Sequence, residues 1–224
     1  SKSGVTSTVN ITRTTARSNA KKNGDKWHLY DFATYCAIIF LYIVEFANWN
    51  CQSKIGQGYT NNNNSSAITS GHTDSMTYHT GCASGTDGKT AVQYRWLENL
   101  WGNLAQWVDG INISYKAAFC CTDPSKYEDD TADGYTNIGE LPNSDGFITD
   151  LTVTNNGLLI PKAVGGSETT YIPDYVSGNS RGWCALYVGG CWYNDSRAGL
   201  LYFNANFVAL GSDTNVSARL MCEV

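Results

Sequence analysis

The chain has 224 residues, of which 22 are glycine, 4 are proline, 12% are aromatic and only 16% are charged. Its formal net charge is −5 at pH 7, and no stripe of lysine or arginine runs along it, which disfavours a nucleic-acid partner. The length suits one large domain. The many glycine and aromatic residues favour short strands and long loops over a helix bundle.

The N-terminal segment is predicted to be a strand or a linker from a larger protein. Its run VTSTVNI, residues 5–11, is typical of a short strand, and the first ten residues lack the apolar run of a signal peptide. A first helix should follow, with Thr12 as its N-cap and Asn23–Gly24 as its end. We therefore place the domain itself at residues 12–224.

A second, more apolar helix is predicted from Asp31 to about Ser53. Its apolar residues recur at three- and four-residue steps and form a stripe wide enough that we expect burial on most sides of the helix. These residues are Phe32, Cys36, Ile38, Ile39, Phe40, Leu41, Tyr42, Ile43, Val44 and Ala47. The apolar run 37–47 is too short to span a bilayer and contains Glu45, so no membrane insertion is expected.

The rest of the chain reads as loops and strands. Residues 57–90 are loop-like, and the four asparagines at 61–64 predict an exposed tip. Three tryptophans, Trp96, Trp101 and Trp107, are expected in the core. Between residues 120 and 178 the β-like runs FITDLTV, GLLIP and TTYIP alternate with turns. The prediction is one α+β domain with two N-terminal helices, short antiparallel strands and long loops.

Eight cysteines leave a disulfide framework open. However, no Cys-x-x-Cys occurs, and a chain of this length does not need disulfides to be stable. Cys36 and Cys51 fall on one predicted helix, roughly 22 Å apart, too far to pair. The adjacent Cys120 and Cys121 do not resemble a zinc site. Free, buried cysteines are the favoured interpretation.

The C-terminal segment Gly182–Leu220 resembles the variable region of proteins diversified by a diversity-generating retroelement. In that family a fixed set of residues, here called the frame, alternates with positions rewritten by adenine-specific mutagenic reverse transcription. The frame residues present are Trp183, Ala185, Leu186, Val188, Gly189, Gly190, Trp192, Asn194, Ala198, Gly199, Tyr202, Ala218, Arg219 and Leu220. Cys184 and Asp195 depart from the residues common at their positions.

Two further segments carry the resemblance. Residues 95–111 are similar to the core motif of C-type lectin folds related to formylglycine-generating enzymes. Gly102, Asn103, Trp107 and Asp109 match that motif, and Gln106 replaces its glutamate. Residues 31–58 resemble the long helix of phage tail-associated members. The resemblance therefore implies a C-type lectin fold with a variable region at about 182–220.

The resemblance also implies which residues bind ligand. They are Cys184, Tyr187, Cys191, Tyr193, Asp195, Arg197, Asn204, Asn206, Phe207, Val208, Leu210, Gly211, Asp213 and Asn215. In this family the template codons are mostly AAC, and changing their adenines never gives Trp, Met, Lys, Glu or Gln. Between Cys184 and Leu220 the only such residue is the frame residue Trp192. Because a scaffold must be indifferent to these side chains, we expect them to face solvent.

The function implied by the resemblance is receptor recognition. The protein would lie on a phage tail tip or a bacterial cell surface and bind a host cell-surface protein or glycan. The assembly that the resemblance suggests is a homotrimer. The protein would not be an enzyme and would need no cofactor or metal. We expect Trp107, Trp183 and Trp192 to be buried beneath the variable surface.

Three alternatives remain open. Residues 182–220 could simply be the last strands of a lectin-like domain. An oxidase of the formylglycine-generating type would use Cys184 and Cys191 as a copper-binding pair. A calcium-dependent sugar lectin would use ELPNSDG, residues 140–146, which would require Pro142 to be cis, or the acidic run EDDTADG, residues 128–134. His28, His72 and His79 are scattered and indicate no catalytic triad.

Overall fold

The computed structural model describes residues 2–61, 63–178 and 181–223. The α-helices in these residues are α1 Arg13–Lys21, α2 Phe32–Phe46 and α3 Cys51–Lys54. The strands are β1 Trp27–Leu29, β2 Thr80–Cys82, β3 Val92–Tyr94, β4 Leu97–Glu98, β5 Ala105–Ser114, β6 Ala117–Cys120, β7 Thr136–Glu140, β8 Gly146–Val153, β9 Leu159–Val164, β10 Tyr175–Ser177, β11 Trp183–Val188, β12 Phe203–Phe207, β13 Val216–Ala218 and β14 Leu220–Cys222.

The main sheet has nine strands in the order β7-β6-β5-β11-β12-β10-β8-β9, with β13 pairing beside β5. Most neighbours are antiparallel, but β10 with β12 and β13 with β5 are parallel. Two small sheets, β1-β14 and β2-β3-β4, complete the described strands. The mixed α+β class is therefore confirmed, whereas the expectation of antiparallel strands alone is too narrow.

The two helix starts are confirmed by their caps. The Thr12 hydroxyl accepts a hydrogen bond from the Thr15 N–H at 3.0 Å. The Asp31 carboxylate accepts one from the Thr34 N–H at 2.8 Å. Each cap occupies one of the backbone donors that the first turn of a helix leaves without a partner.

The predicted end of the second helix is wrong. The helix stops at Phe46, because Ala47 adopts a left-handed conformation with φ 47°. Asn50 then caps a separate short helix by accepting a hydrogen bond from the Ser53 N–H at 2.8 Å. Asparagine side chains compete for backbone groups in this way. Cys36 and Cys51 consequently lie on different helices, and both are free and buried.

Helix α2 is buried or half-buried on most sides, as predicted, with Phe32, Cys36 and Ile39 in the core. One stripe meets water, and it contains Val44, which is 86% exposed, and Leu41. The expectation is wrong for these two residues, because an apolar pattern this wide does not mark the side that meets water.

Two other expectations need correction. Residues 5–11 form no strand, and the Asn10 N–H donates to the Asp213 carbonyl at 2.9 Å. The run TTYIP is not a strand either, and β10 begins after it, whereas FITDLTV and GLLIP correspond to β8 and β9.

Among the tryptophans, Trp101 and Trp107 are fully buried, as predicted. Their indole N–H groups donate to the carbonyls of Gly56 and Ile11. The prediction for Trp96 is wrong, since it lies in the turn between β3 and β4 and is 70% exposed.

The sheet separates two hydrophobic clusters. The larger cluster contains the buried side of α2, and the smaller cluster includes Ala16 of α1. Alternation along β11 shows this division: Leu186 and Val188 belong to the larger cluster, and Ala185 and Tyr187 to the smaller one. β11 also lies between β5 and β12 in the sheet. The strand that opens the variable region is therefore internal, with both faces covered.

Helix α1 is attached to β5 by a buried ionic network. Arg17 Nε and Nη2 donate to the Asp109 carboxylate at 2.6 and 2.7 Å. Arg13 donates to Asp129, and its Nη1 reaches the Ile111 carbonyl at 2.6 Å. Burial alone would raise the pKa of Asp129, but the neighbouring Arg13 and Arg17 lower that pKa to about 2. Every charge in this network therefore has an opposite partner.

We predict that Arg17→Met destabilises the protein by about 3–5 kcal/mol, because it leaves the buried Asp109 carboxylate without its partner. The matched control is Lys162→Met, which removes one side of the exposed Lys162–Asp150 pair and should change stability little. Urea unfolding of both variants measures the difference. Equal losses would contradict a special role for the buried network.

Candidate functional site

The region 182–220 contributes two loops, which meet at Tyr193 and Asn215. The first loop, residues 191–198, follows β11 and contains the short 3-10 helix Asp195–Arg197. The second loop, residues 208–215, connects β12 to β13. Most of the candidate ligand-binding residues lie in these loops, so their attachment to the scaffold determines what the site can do.

The first loop is held by polar side chains from residues 52–60. Gln52 Nε2 donates to the carbonyl of Ala198 at 2.7 Å, and Gln57 Nε2 donates to Asp195 Oδ1 at 2.9 Å. The Asp195 N–H donates to the Thr60 carbonyl at 2.7 Å. No sequence signal identified these supports, since isolated amide side chains in a polar segment show no periodicity.

The asparagine-rich segment supports the same loop instead of forming a free tip. Asn64 Nδ2 donates to the carbonyls of Gly88 and Trp192 at 3.1 and 3.2 Å, and Asn61 Nδ2 donates to the Asp87 carbonyl. Asn62 lies outside the described residues. The prediction of an exposed tip is therefore wrong for Asn61 and Asn64, which are engaged by neighbouring loops.

The Gly102–Asn103 pair joins three parts of the chain. The Gly102 N–H donates to the Gly189 carbonyl at 3.1 Å, and the Asn103 carbonyl accepts from the Trp192 N–H at 3.0 Å. The Asn103 amide exchanges two hydrogen bonds with the backbone of Ile68. Asn103 has φ 56°, a conformation that asparagine tolerates better than most residues. These contacts explain why a Gly-Asn pair suits this position.

Two frame glycines are required by close approach. A Cβ on Gly190, which has φ 70°, would lie 2.9 Å from the Cβ of Ala198. A Cβ on Gly199 would overlap the carboxylate of Asp174. Both ends of the first loop thus pass against other atoms at a distance that only glycine permits.

The second loop is anchored by its backbone. The Ala209 carbonyl accepts from the Arg13 N–H at 3.2 Å, and the Asn215 carbonyl accepts from the Ala105 N–H at 3.0 Å. The Asp213 carbonyl takes the bond from Asn10. Main-chain hydrogen bonds do not depend on side-chain identity, so these anchors leave the loop's side chains replaceable.

The two loops meet at Tyr193 and Asn215. The Asn215 side-chain amide donates to the Tyr193 hydroxyl, and the Arg197 guanidinium lies 5.2 Å from the centre of the Tyr175 ring. Within the variable region, Tyr193, Arg197, Asn206, Val208 and Leu210 are exposed. Half-buried positions are Asp195, Phe207, Gly211, Asp213 and Asn215.

The expectation that every candidate side chain faces solvent is wrong at four positions. Tyr187 and Asn204 are buried opposite each other in β11 and β12, and Cys191 is buried at the start of the first loop. Cys184 is buried in the larger cluster, opposite Ile113 of β5. Tyr187, Asn204 and Cys184 have no access to water because they lie in internal strands covered on both faces. Cys184 is also not brought to the loops.

An aromatic group lies beneath the second loop. Phe207 and Tyr187 contact edge to face with ring centres 5.7 Å apart, and Trp107 meets Tyr187 in the same way at 5.6 Å. Trp107 is buried as expected, but Trp183 and Trp192 are only half-buried. The Trp192 ring contacts that of Tyr193 and belongs to the edge of the surface rather than to its support.

Several observations concern the residues that the metal-dependent alternatives would use. In the described parts of the chain, no group of three or more His, Cys, Asp or Glu side chains is placed to hold a metal ion. Burial raises the pKa of Cys191 to about 11 and also raises that of Cys184. Cys184 lies within β11 in the larger cluster, whereas Cys191 opens the first loop. Asp129 is occupied by two arginines. The peptide bond before Pro142 is trans, as are all those described.

Comparison with known proteins does not assign a family. No protein-family model matches the chain, and no curated protein matches it in sequence. Among the described residues, no helix has the length and apolar character needed to cross a bilayer. The site must therefore be interpreted from its own geometry.

One buried acid supports the end of the first loop. Asp174 is fully buried, its Oδ2 accepts from the Leu201 N–H at 2.6 Å, and its Oδ1 has no partner among the described groups. Burial raises the pKa of Asp174 to about 8, although the Leu201 N–H opposes the shift. A neutral carboxylic acid is therefore packed against Gly199 at neutral pH.

We predict that Asp174 makes stability depend on pH. In the unfolded chain it ionises near pH 3.8, but in the folded chain only near pH 8. The stability that comes from burying the neutral acid is fully present below pH 3.8 and is lost as the pH rises through about 8. Asp174→Asn, which cannot ionise, should remove this loss. Urea unfolding of both proteins across this range tests it, and parallel curves would contradict it.

Proposed function

We propose that the two loops form a ligand-recognition surface whose side chains are diversified by a retroelement. Here the variable surface means the exposed and half-buried candidates of the two loops and of the end of β12: Tyr193, Asp195, Arg197, Asn206, Phe207, Val208, Leu210, Gly211, Asp213 and Asn215. The protein is then a binding protein and not an enzyme.

The observation that carries the proposal is the contrast between frame and variable positions. Frame residues Gly190, Gly199 and Ala198 are buried, and the glycines have no room for a side chain. Candidates Val208 and Leu210 are exposed on a loop that is anchored by main-chain atoms. Packing therefore dictates the identity of the first set and leaves that of the second set free.

The chemistry of the variable surface suits recognition of a macromolecule. Leu210 is 69% exposed, and Val208 and Tyr193 are also exposed; an apolar group of this kind in water is typical of a binding surface. Arg197 and Asp213 add charge beside it. Tyrosine and arginine are frequent among the residues that supply most of the binding energy of interfaces.

The finer assignments rest on the resemblance described for residues 31–58, 95–111 and 182–220. They are a C-type lectin fold, a position on a phage tail tip or a bacterial cell surface, a host protein or glycan as ligand, and a homotrimer as the assembly. The junction made by Gly102 and Asn103 supports the fold assignment, because it gives that motif a structural role at the base of the variable surface.

The retroelement is tested in the DNA that encodes the protein. We expect a near-copy of the coding stretch for residues 182–220 beside a reverse transcriptase gene. In a sequenced population, changes should fall at adenines of the template, within codons of the candidate ligand-binding residues. If the locus has neither the copy nor the enzyme gene, the diversification hypothesis is wrong, whatever the surface binds.

Binding is tested by substitution on the variable surface. Arg197→Ala and Leu210→Ala should each change stability by no more than about 0.5 kcal/mol, because the side chains are exposed. At least one should weaken adsorption to host cells by about 2 kcal/mol or more. Melting temperature and adsorption of the purified protein measure the two effects separately.

A buried candidate provides the matched control. Tyr187→Ala should cost about 3–5 kcal/mol of stability, as truncation of large core side chains does. Two outcomes would place the recognition surface elsewhere. In the first, Arg197→Ala and Leu210→Ala unfold the protein. In the second, Arg197→Ala, Leu210→Ala and Tyr193→Ala all leave adsorption unchanged.

A further inference from the structure

A second cluster of exposed rings lies outside the variable region, at the tip of the β3–β4 hairpin. Tyr78 is 81% exposed, and Trp96 is nearly as exposed. The Trp96 indole stacks on the imidazole of His79, with 17° between the ring planes. Together with Thr77, Thr80 and Arg95 they line an open groove of about 440 Å³.

The backbone of the turn that carries Trp96 is held in place. The backbone N–H of Trp96 donates to the His79 carbonyl at 3.2 Å, and the backbone N–H of Arg95 donates to the Thr80 hydroxyl oxygen at 3.2 Å. These bonds tie the turn to the neighbouring strand, and the His79 imidazole lies against one side of the indole. The other side of the indole is thus an apolar plane that faces water.

The backbone of this turn is unusual for its residues. Arg95 and Trp96 have φ 48° and 70°, and two-residue hairpin turns with two positive φ values favour Asn-Gly. Backbone strain alone does not mark a site, because both residues of the turn Tyr115–Lys116 between β5 and β6 also have positive φ angles. Tyr115, however, has no ring contact among the described aromatic pairs, whereas Trp96 is one side of a groove.

Polar groups border the plane on one side. Arg95 Nε donates to Glu45 Oε2 at 3.0 Å and to the Tyr94 hydroxyl at 3.1 Å. These bonds orient the guanidinium, while its two Nη groups form no hydrogen bond to any described residue. An oriented planar donor therefore stands beside an apolar plane, with the Glu45 carboxylate next to it as an acceptor.

This combination matches the chemistry of a sugar ring. A pyranose has an apolar face of C–H groups, which can pack on an indole, and an edge of hydroxyls, which bind guanidinium and carboxylate groups. A nucleic acid would require a basic groove, whereas the chain has a net charge of −5. A stable protein interface involves about 20–30 residues a side, far more than the six that line this groove.

We propose that Tyr78, His79, Arg95 and Trp96 form a saccharide-binding platform that is separate from the variable surface. All four residues lie outside 182–220, so the platform is constant while the variable surface changes. The inference does not depend on the retroelement or on the proposed receptor recognition.

Saturation-transfer NMR with a defined panel tests the platform. The probes are methyl glycosides of glucose, galactose, mannose and N-acetylglucosamine at millimolar concentration, with adenosine monophosphate as a stacking control. Transfer to ring C–H protons of at least one glycoside is expected. Trp96→Gly should weaken that binding at least about tenfold without lowering the melting temperature, because glycine suits the positive φ at this position.

Two controls separate the outcomes. Tyr115→Ala removes an equally exposed ring, 75% exposed, from a similar turn and should leave saccharide binding unchanged. Tyr193→Ala alters the variable surface and should also leave it unchanged. The proposal is overturned if no glycoside shows transfer, if only adenosine monophosphate does, or if Trp96→Gly binds as the unmodified protein does.

Discussion

The structure depends on how the central strand β5 satisfies its buried polar residues. Gln106, Asp109 and Asn112 recur every third residue along a strand that is buried almost throughout. Each receives an arginine: Arg219 donates to Gln106, Arg17 to Asp109 and Arg13 to Asn112. Unpaired, these groups would each impose a desolvation penalty. The pairing instead fixes α1 and the C-terminal strands against one strand.

This arrangement gives the two loops a scaffold that is built mainly from residues other than the candidate ligand-binding ones. Arg219, a frame residue, also donates to the Glu98 carbonyl at 2.6 Å, which connects the end of the variable region to the β3–β4 hairpin. The loops themselves are attached through main-chain atoms and through amides outside the region, such as Gln52. Apart from Asp195, whose carboxylate accepts from Gln57, the candidate side chains of the loops can then change without removing one of these supports.

The fold class could be predicted from the sequence, because many glycines and short β-like runs favour short strands and loops. The helix starts could be predicted because capping is local chemistry between residues three apart. The helix end at Ala47 and the exposure of Trp96 were missed, since both depend on left-handed backbone conformations that apolar periodicity does not reveal. Burial of Tyr187 and Cys191 was missed because it depends on cover from distant elements. The supports Gln52, Gln57 and Asn64 are set by tertiary contacts alone.

The sheet topology also constrains how the protein can be made. β5 emerges early in synthesis, but its neighbours β11 and β13 lie far later in the chain, and β1 pairs with β14 near the C-terminus. Pairing between distant segments is slow and leaves strand edges uncovered meanwhile. β6 pairs with β5 locally, but the pairings of β5 with β11 and β13 must wait for residues 183–218. If residues 182–220 are rewritten as proposed, each new variant must complete the pairing of β5 with β11 and β13 before it can present a binding surface.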